Sequence, residues 1–169
     1  TMPHIRDFPF SKEYFGTVLD GEIMFGSSSS EAISVTGSLP ENALANQLEK
    51  GFAEFKCFDL LYYKGLRVEN FPYSRRLSLL DKFFEVNKNA YIVPATVYTT
   101  EKEKQGQYNS TFVGSFVSLL EEVWAEGKEG LMIKRLDAPY EQKRTKNYLK
   151  LKPHFFRDCI IMGYTEPTK

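Results

Sequence analysis

Four short runs in this chain read as strands, yet each carries a charged or aromatic residue inside an otherwise apolar stretch. They are LDGEI at 19–23, FKCFDLLYYKG at 55–65, EGLMIK at 129–134 and YLKLK at 148–152. Any fold that accepts them must build sheets and must also give Glu22, Lys150 and Lys152 partners, because burying an unpaired charge costs several kcal/mol.

The segments between these runs supply helices. Residues 41–51, ENALANQLEKG, place Ala43, Leu44, Gln47 and Leu48 at helical spacing before a glycine stop. Residues 74–86 put Leu77, Leu80, Phe83 and Phe84 on one helix face. Residues 111–126 carry the clearest apolar stripe: Phe112, Phe116, Leu119, Leu120, Val123 and Trp124, with Gly127 beyond. Further strands are expected over 17–25, 53–63, 90–98, 130–135, about 147–152, and 157–164, with Pro94 marking an edge or a bulge. Residues 1–16 read as an irregular lead-in, and GSSSSE at 26–31 as a flexible loop. The expected class is α+β, with antiparallel sheets and flanking helices. Pro153 follows YLKLK directly, so RDCIIMGY is expected to begin a second domain.

Composition excludes several alternatives. Hydrophobic residues make up 42% and charged residues 26%, as in a folded globular chain. No run approaches the ~18 apolar residues that span a bilayer, and TMPHIRDFPF lacks the pattern of a secretory signal. Cys57 and Cys159 both lie in apolar runs and read as two buried free thiols, which fits a reducing, intracellular compartment. The 22 basic residues balance 22 acidic ones, which argues against coating nucleic acid by bulk charge. A local excess remains: Lys134, Arg135, Lys143, Arg144, Lys146, Lys150, Lys152 and Arg157 face only Asp137 and Glu141 between 134 and 157. The same excess would suit a solvated loop.

Each unusual residue has two readings. Glu22 suits a ligand hydroxyl or a metal ion, or a solvated turn after Asp20–Gly21. Phe58 suits stacking on a planar ring, or ordinary core packing. Glu129 opens a strand beside Gly130, which permits close backbone approach; its carboxylate suits a hard divalent cation or plain helix-end solvation. Lys150 and Lys152 share one strand face with Tyr148, about 7 Å apart, with Leu149 and Leu151 facing the core. Two ammonium groups so close repel unless an anion lies between them or solvent surrounds them. A phosphate with a metal ion is the natural occupant.

In their order and spacing the four runs resemble the covalent nucleotidyltransferases, and most closely the ATP-dependent DNA ligases. LDGEI is similar to the third motif of that family, FKCFDLLYYKG to the aromatic segment after it, EGLMIK to the fourth motif and YLKLKP to the fifth. PYSRRLSLL is similar to the helix start that follows FDLLY. The resemblance covers residues 17–164. It implies the nucleotidyltransferase (ATP-grasp-like) fold, ATP as AMP donor, Mg2+, nicked duplex DNA as partner, and sealing through enzyme-AMP and DNA-adenylate intermediates. It further implies that Phe58 stacks on adenine and that Glu22 contacts ribose or helps hold metal. Glu129 becomes a magnesium ligand, and Lys150 and Lys152 grip the α-phosphate. Lys134 and Arg144 join the nucleotide contacts, and the basic excess meets DNA phosphates. Tyr148 stands where the family usually has tryptophan.

The chain departs from the family pattern in three ways. No K-x-D-G segment is present: the single D-G is Asp20–Gly21, preceded by Val18 rather than lysine. The upstream arginine motif has no clear counterpart, Arg6 in HIRDFP being a poor one. The OB-fold domain is expected to begin at 157 and not to be completed. Residues 1–156 are thus expected to be a partial adenylation domain of a monomeric parent, inactive alone, whose lysine segment and OB domain lie elsewhere in that parent. An RNA ligase or capping-type nucleotidyltransferase fragment, or a non-catalytic nucleotide- or DNA-binding module, are the alternatives.

Overall fold

The computed structural model describes residues 2–26, 29–99, 109–111, 116–152, 160, 162 and 163. Its centre is a long strand, β2 (Glu54–Tyr63), the FKCFDLLYY run. On one edge β1 (Val18–Met24) pairs antiparallel, with Gly21 opposite Cys57 and Glu22 opposite Lys56. The register shifts twice, between Val18 and Leu19 and between Asp20 and Gly21, which twists the strand locally at the D-G step. On the other edge β3 (Leu66–Arg67) folds back over a two-residue turn. Lys64 and Gly65 both take positive φ there (52° and 80°), as a primed hairpin turn requires.

The run 90–98 divides into β4 (Ile92–Pro94) and β5 (Val97–Thr99) rather than forming one strand. β4 pairs with the start of β2, placing Pro94 opposite Cys57, while β5 pairs with β6 (Asn109–Thr111). Both pairings are parallel, so the α+β class holds but the sheets are mixed, not wholly antiparallel. β7 (Leu131–Lys134) and β8 (Tyr148–Leu151) form a separate antiparallel ribbon.

The helices are α1 (Pro3–Arg6), α2 (Ser29–Thr36), α3 (Pro40–Lys50), α4 (Tyr73–Val86) and α5 (Phe116–Ala125). Three of these match the apolar stripes in the sequence. The pattern set the start of α5 at Thr111, which belongs to β6 instead, and Phe112 lies outside the described residues. α2 corrects the loop expected over GSSSSE, whose end it incorporates. Serines are indifferent helix formers, but Val35 is completely buried with Phe25, Ala43 and Ala53, and that packing decides the conformation. The lead-in is likewise ordered: α1 and a 3-10 turn at Lys12–Tyr14 bring Tyr14 into the core.

The main core lies between β2 and α4. Leu60, Cys57, Val68, Leu80, Phe83, Phe84, Ile92 and Tyr14 are all buried in it. Tyr14 meets Phe83 edge-on at 5.4 Å and donates its hydroxyl to the Lys82 carbonyl (2.9 Å). Burial pushes the Cys57 thiol up to about 12, consistent with the free, buried cysteine expected there. Cys159 and nearly all of the strand expected over 157–164 lie outside the described residues; Ile160 and Met162 are exposed. Among the described residues no helix is long and apolar enough to cross a membrane.

Candidate functional site

The site begins at the start of α4. Pro72 at the N-cap has no side-chain acceptor to offer, so the first amides need other partners. Tyr73 and Ser74 donate to the carbonyls of Ala138 and Leu136, at 2.9 Å each. The loop leaving β7 therefore caps the helix and docks the β7–β8 ribbon beside β2. Glu69 holds the same loop a second time. Its carbonyl accepts Tyr140 N (2.7 Å), and its carboxylate accepts Gln142 (2.7 Å) and Arg67 (2.6 Å).

Within this junction lies a fully buried ion pair. Asp59 Oδ1 accepts Arg76 Nε at 2.7 Å and Oδ2 accepts Nη2 at 2.9 Å, with both side chains 0% exposed. Oδ1 also accepts Leu60 N (2.9 Å), and Oδ2 lies 3.5 Å from Lys134 Nζ. The remaining Arg76 protons reach the Phe71 carbonyl (2.5 Å), the Ala138 carbonyl (3.2 Å) and the Tyr148 hydroxyl (3.0 Å). Tyr148 in turn donates to the Pro139 carbonyl at 2.6 Å.

Lys134 is boxed in by aromatic rings. Its ammonium sits 4.7 Å from the Phe58 centroid, 4.6 Å from Tyr73 and 5.3 Å from Tyr148. Burial pulls its pKa below the ordinary lysine value, opposed by Asp59. Asp20 closes the other side by accepting the Tyr140 hydroxyl (2.8 Å).

The exposed half of the site is one face of the ribbon. The register sets Lys134 opposite Tyr148 and Met132 opposite Lys150. Glu129 stands at the entry to β7, and its Oε2 receives both Lys150 Nζ (2.9 Å) and Lys152 Nζ (3.2 Å). These two ammonium groups hold its carboxyl below the usual carboxylate range, and Glu129 in turn raises Lys150. Each of the three side chains stays about half exposed. Gly130 makes the junction possible. Its φ is 139°, and a Cβ there would lie 1.8 Å from the Leu151 carbonyl oxygen.

Most of the residues singled out in the sequence converge. Phe58 and Lys134 touch, Glu129, Lys150 and Lys152 form one cluster, and exposed Glu22 lies close enough to raise the Lys150 pKa. Arg144 does not join them: it is exposed and, among the described residues, has no side-chain hydrogen bond or ion pair. Leu149 and Leu151 do not both face a core; Leu149 is 51% exposed and Leu151 half-buried, because the ribbon pairs with no other described strand. The anion between the lysines is the chain's own Glu129. Asp59 and Arg76 lie within FKCFDLLYYKG and PYSRRLSLL, but the sequence assigned neither a role. Asp59 gave the same signal as Glu22, a charge inside an apolar strand, but its partner lies 17 residues away on a helix.

Residues 5–152 match the family model described as ATP dependent DNA ligase domain, and the chain belongs to that family. It is 32% identical over 115 residues to a "Probable DNA ligase" of Dictyoglomus turgidum, covering 64% of this chain and 18% of the relative. Against the "Multifunctional non-homologous end joining protein LigD" of Pseudomonas aeruginosa it is 26% identical over 169 residues (98% and 18%). Against the "SPbeta prophage-derived DNA ligase-like protein LigB" of Bacillus subtilis it is 27% identical over 157 residues (89% and 49%). The chain thus spans between 18% and 49% of the length of these relatives. The fold is similar to that of a mycobacterial DNA ligase D solved with ATP and MES, at TM-score 0.53 and 23% identity, over 80% of this chain and 38% of that one. It is similar to a Lig E DNA ligase at the same TM-score and identity, over 80% and 46%.

Proposed function

We propose that this chain supplies the nucleotide-holding part of the adenylation domain of an ATP-dependent DNA ligase, with residues 1–156 belonging to that domain and 157–169 beginning an OB-fold. The observation that carries the proposal is the half-exposed Glu129–Lys150–Lys152 cluster, which lies on the same ribbon as the lysine touching Phe58. Two exposed ammonium groups already share one anionic oxygen there, and a phosphate oxygen offers the same chemistry with more charge.

In this reading adenine stacks on Phe58, with exposed Met132 offering apolar surface from the ribbon. Lys134 contributes a positive charge beside that ring, and Glu22 receives a ribose hydroxyl or shares a metal. Lys150 and Lys152 bind the α-phosphate and offset the charge that grows on its oxygens as the phosphoryl group is transferred. Exposed Arg144 and Lys146 of the loop before β8 meet the phosphates of nicked duplex DNA, with Lys143 beside them in a loose pair with Glu141.

Mg2+ fits this donor set in a limited way. Among the described residues there is no group of three side chains able to cage a metal by themselves. Magnesium does not need one: it is commonly held by one or two carboxylates, with phosphate oxygens and water completing the shell. Glu129 and Glu22 are the carboxylates it would take, and bound there it would neutralise phosphate charge.

The chain has no K-x-D-G lysine to accept AMP. Incubated with radiolabelled ATP and Mg2+, it is expected to retain nucleotide reversibly on a filter and to carry no label after denaturation. A label that survives denaturing electrophoresis would contradict the assignment, as would a folded chain that retains nothing.

A further inference from the structure

We propose that Asp59 and Arg76 are positioning residues for the ribbon that carries Glu129, Lys150 and Lys152. The proposal rests on the reading of that ribbon as a nucleotide site. Every polar valence of the pair is used. Arg76 has five N–H donors, and all of them find acceptors, in Asp59, Phe71, Ala138 and Tyr148. Both Asp59 oxygens accept twice, from Arg76, Leu60 and Lys134.

These contacts join four pieces of chain that no strand pairing connects: β2 through Asp59, α4 through Arg76, the loop after β7 through Ala138, and the ribbon itself through Lys134 and Tyr148. Among the described residues the ribbon shares no backbone ladder with the central sheet. Its height over Phe58 is therefore set by side-chain and loop contacts: the α4 caps, the Glu69 clamp, the Tyr140–Asp20 hydrogen bond and this pair. A buried ion pair is a poor source of stability, since well-packed apolar residues usually serve as well or better. What it provides is a fixed geometry, because a planar fork with five filled donors tolerates one arrangement of its partners. Asp59 also meets Lys134 directly, so the same carboxylate orients the helix side and the ribbon side. Lys150 follows on β8, two residues beyond Tyr148, and Lys152 directly after the end of that strand.

The test uses the full 169-residue chain with two readouts: the side-chain CεH2 NMR signals of its lysines, assigned with Lys134→Arg and Lys150→Arg, and the affinity for ATP. Protons of Lys134 Cε lie among three rings and are expected well upfield of an exposed lysine. Tyr148→Phe keeps the ring and removes the hydroxyl that Arg76 and Pro139 share. It is expected to unfold cooperatively, to move the Lys134 and Lys150 signals, and to weaken ATP binding about tenfold, the size of one lost hydrogen bond to a charged group. Asp59→Asn is expected to act in the same direction more strongly; where it does not fold, Tyr148→Phe decides alone. Signals that move while ATP binds as to the wild type overturn the positioning role and leave the nucleotide reading standing. Signals that stay in place overturn it too. A folded wild type that binds no ATP overturns the nucleotide reading, and the proposal with it.

Discussion

Glu129 is the residue whose two possible partners pull in opposite directions. In this structure it neutralises Lys150 and Lys152; in the proposed reaction it holds magnesium while phosphate takes the lysines. Exchange between those states needs all three side chains to stay near solvent, and they do. Glu129→Gln removes the internal competitor. Metal-free ATP is then expected to bind more tightly, by about threefold to fivefold, as befits an exposed ion pair worth under 1 kcal/mol. The gain from added Mg2+ is expected to shrink in the same variant. Calorimetric titrations with and without the metal measure both effects, and unchanged curves would count against either role. Asp59 stands in contrast: it is wholly buried and every lone pair is committed, which suits a residue that fixes geometry rather than one that exchanges ligands.

Elements give the site its shape, and two of them carry tests. β7 can start where it does only because Gly130 adopts a backbone conformation closed to other residues and lets the Leu151 carbonyl approach. Gly130→Ala is expected to break the pairing of β7 with β8 at that end and to expose amides of Leu131 and Leu151 to hydrogen exchange. Exchange as slow as in the wild type would contradict this. In α4, partial burial and then the nearby charge of Glu85 push Asp81 up to about 6. An acid whose folded pKa is raised contributes stability that is fully present below its unfolded value near 3.9 and is lost as pH rises through 6. Asp81→Asn should therefore stabilise the chain by about 1 kcal/mol at pH 7, screened by its exposure, and hardly at all at pH 4. Denaturant titrations at the two pH values measure it, and an equal effect at both would contradict it.

At the scale of the whole molecule, much of the arrangement was legible from residue patterns. Stripes such as Leu77–Leu80–Phe83–Phe84 and runs such as FKCFDLLYY have a period that only one element can satisfy. What stayed hidden depended on partners distant in sequence. α2 exists because Val35 meets Ala43 and Ala53. Ile92–Pro94 splits from Val97–Thr99 to join β2 in parallel, and Asp59 is explained only by Arg76 on another element. Lys150 and Lys152 suited either an anion or open solvent on their pattern alone, and the fold supplies both: the Glu129 carboxylate and a half-exposed face. The proposed nucleotide site requires that this same face, with Phe58, hold ATP. Its most direct test is an equilibrium titration of ATP with Mg2+ into the wild-type chain and into the Lys150→Ala/Lys152→Ala variant, with circular dichroism on both. The expected result is saturable one-to-one binding by the wild type, weakened about a hundredfold or more in an equally folded variant, as the loss of two charged hydrogen bonds requires. Equal binding by the two chains, or none by a folded wild type, would rule out a nucleotide site on this face.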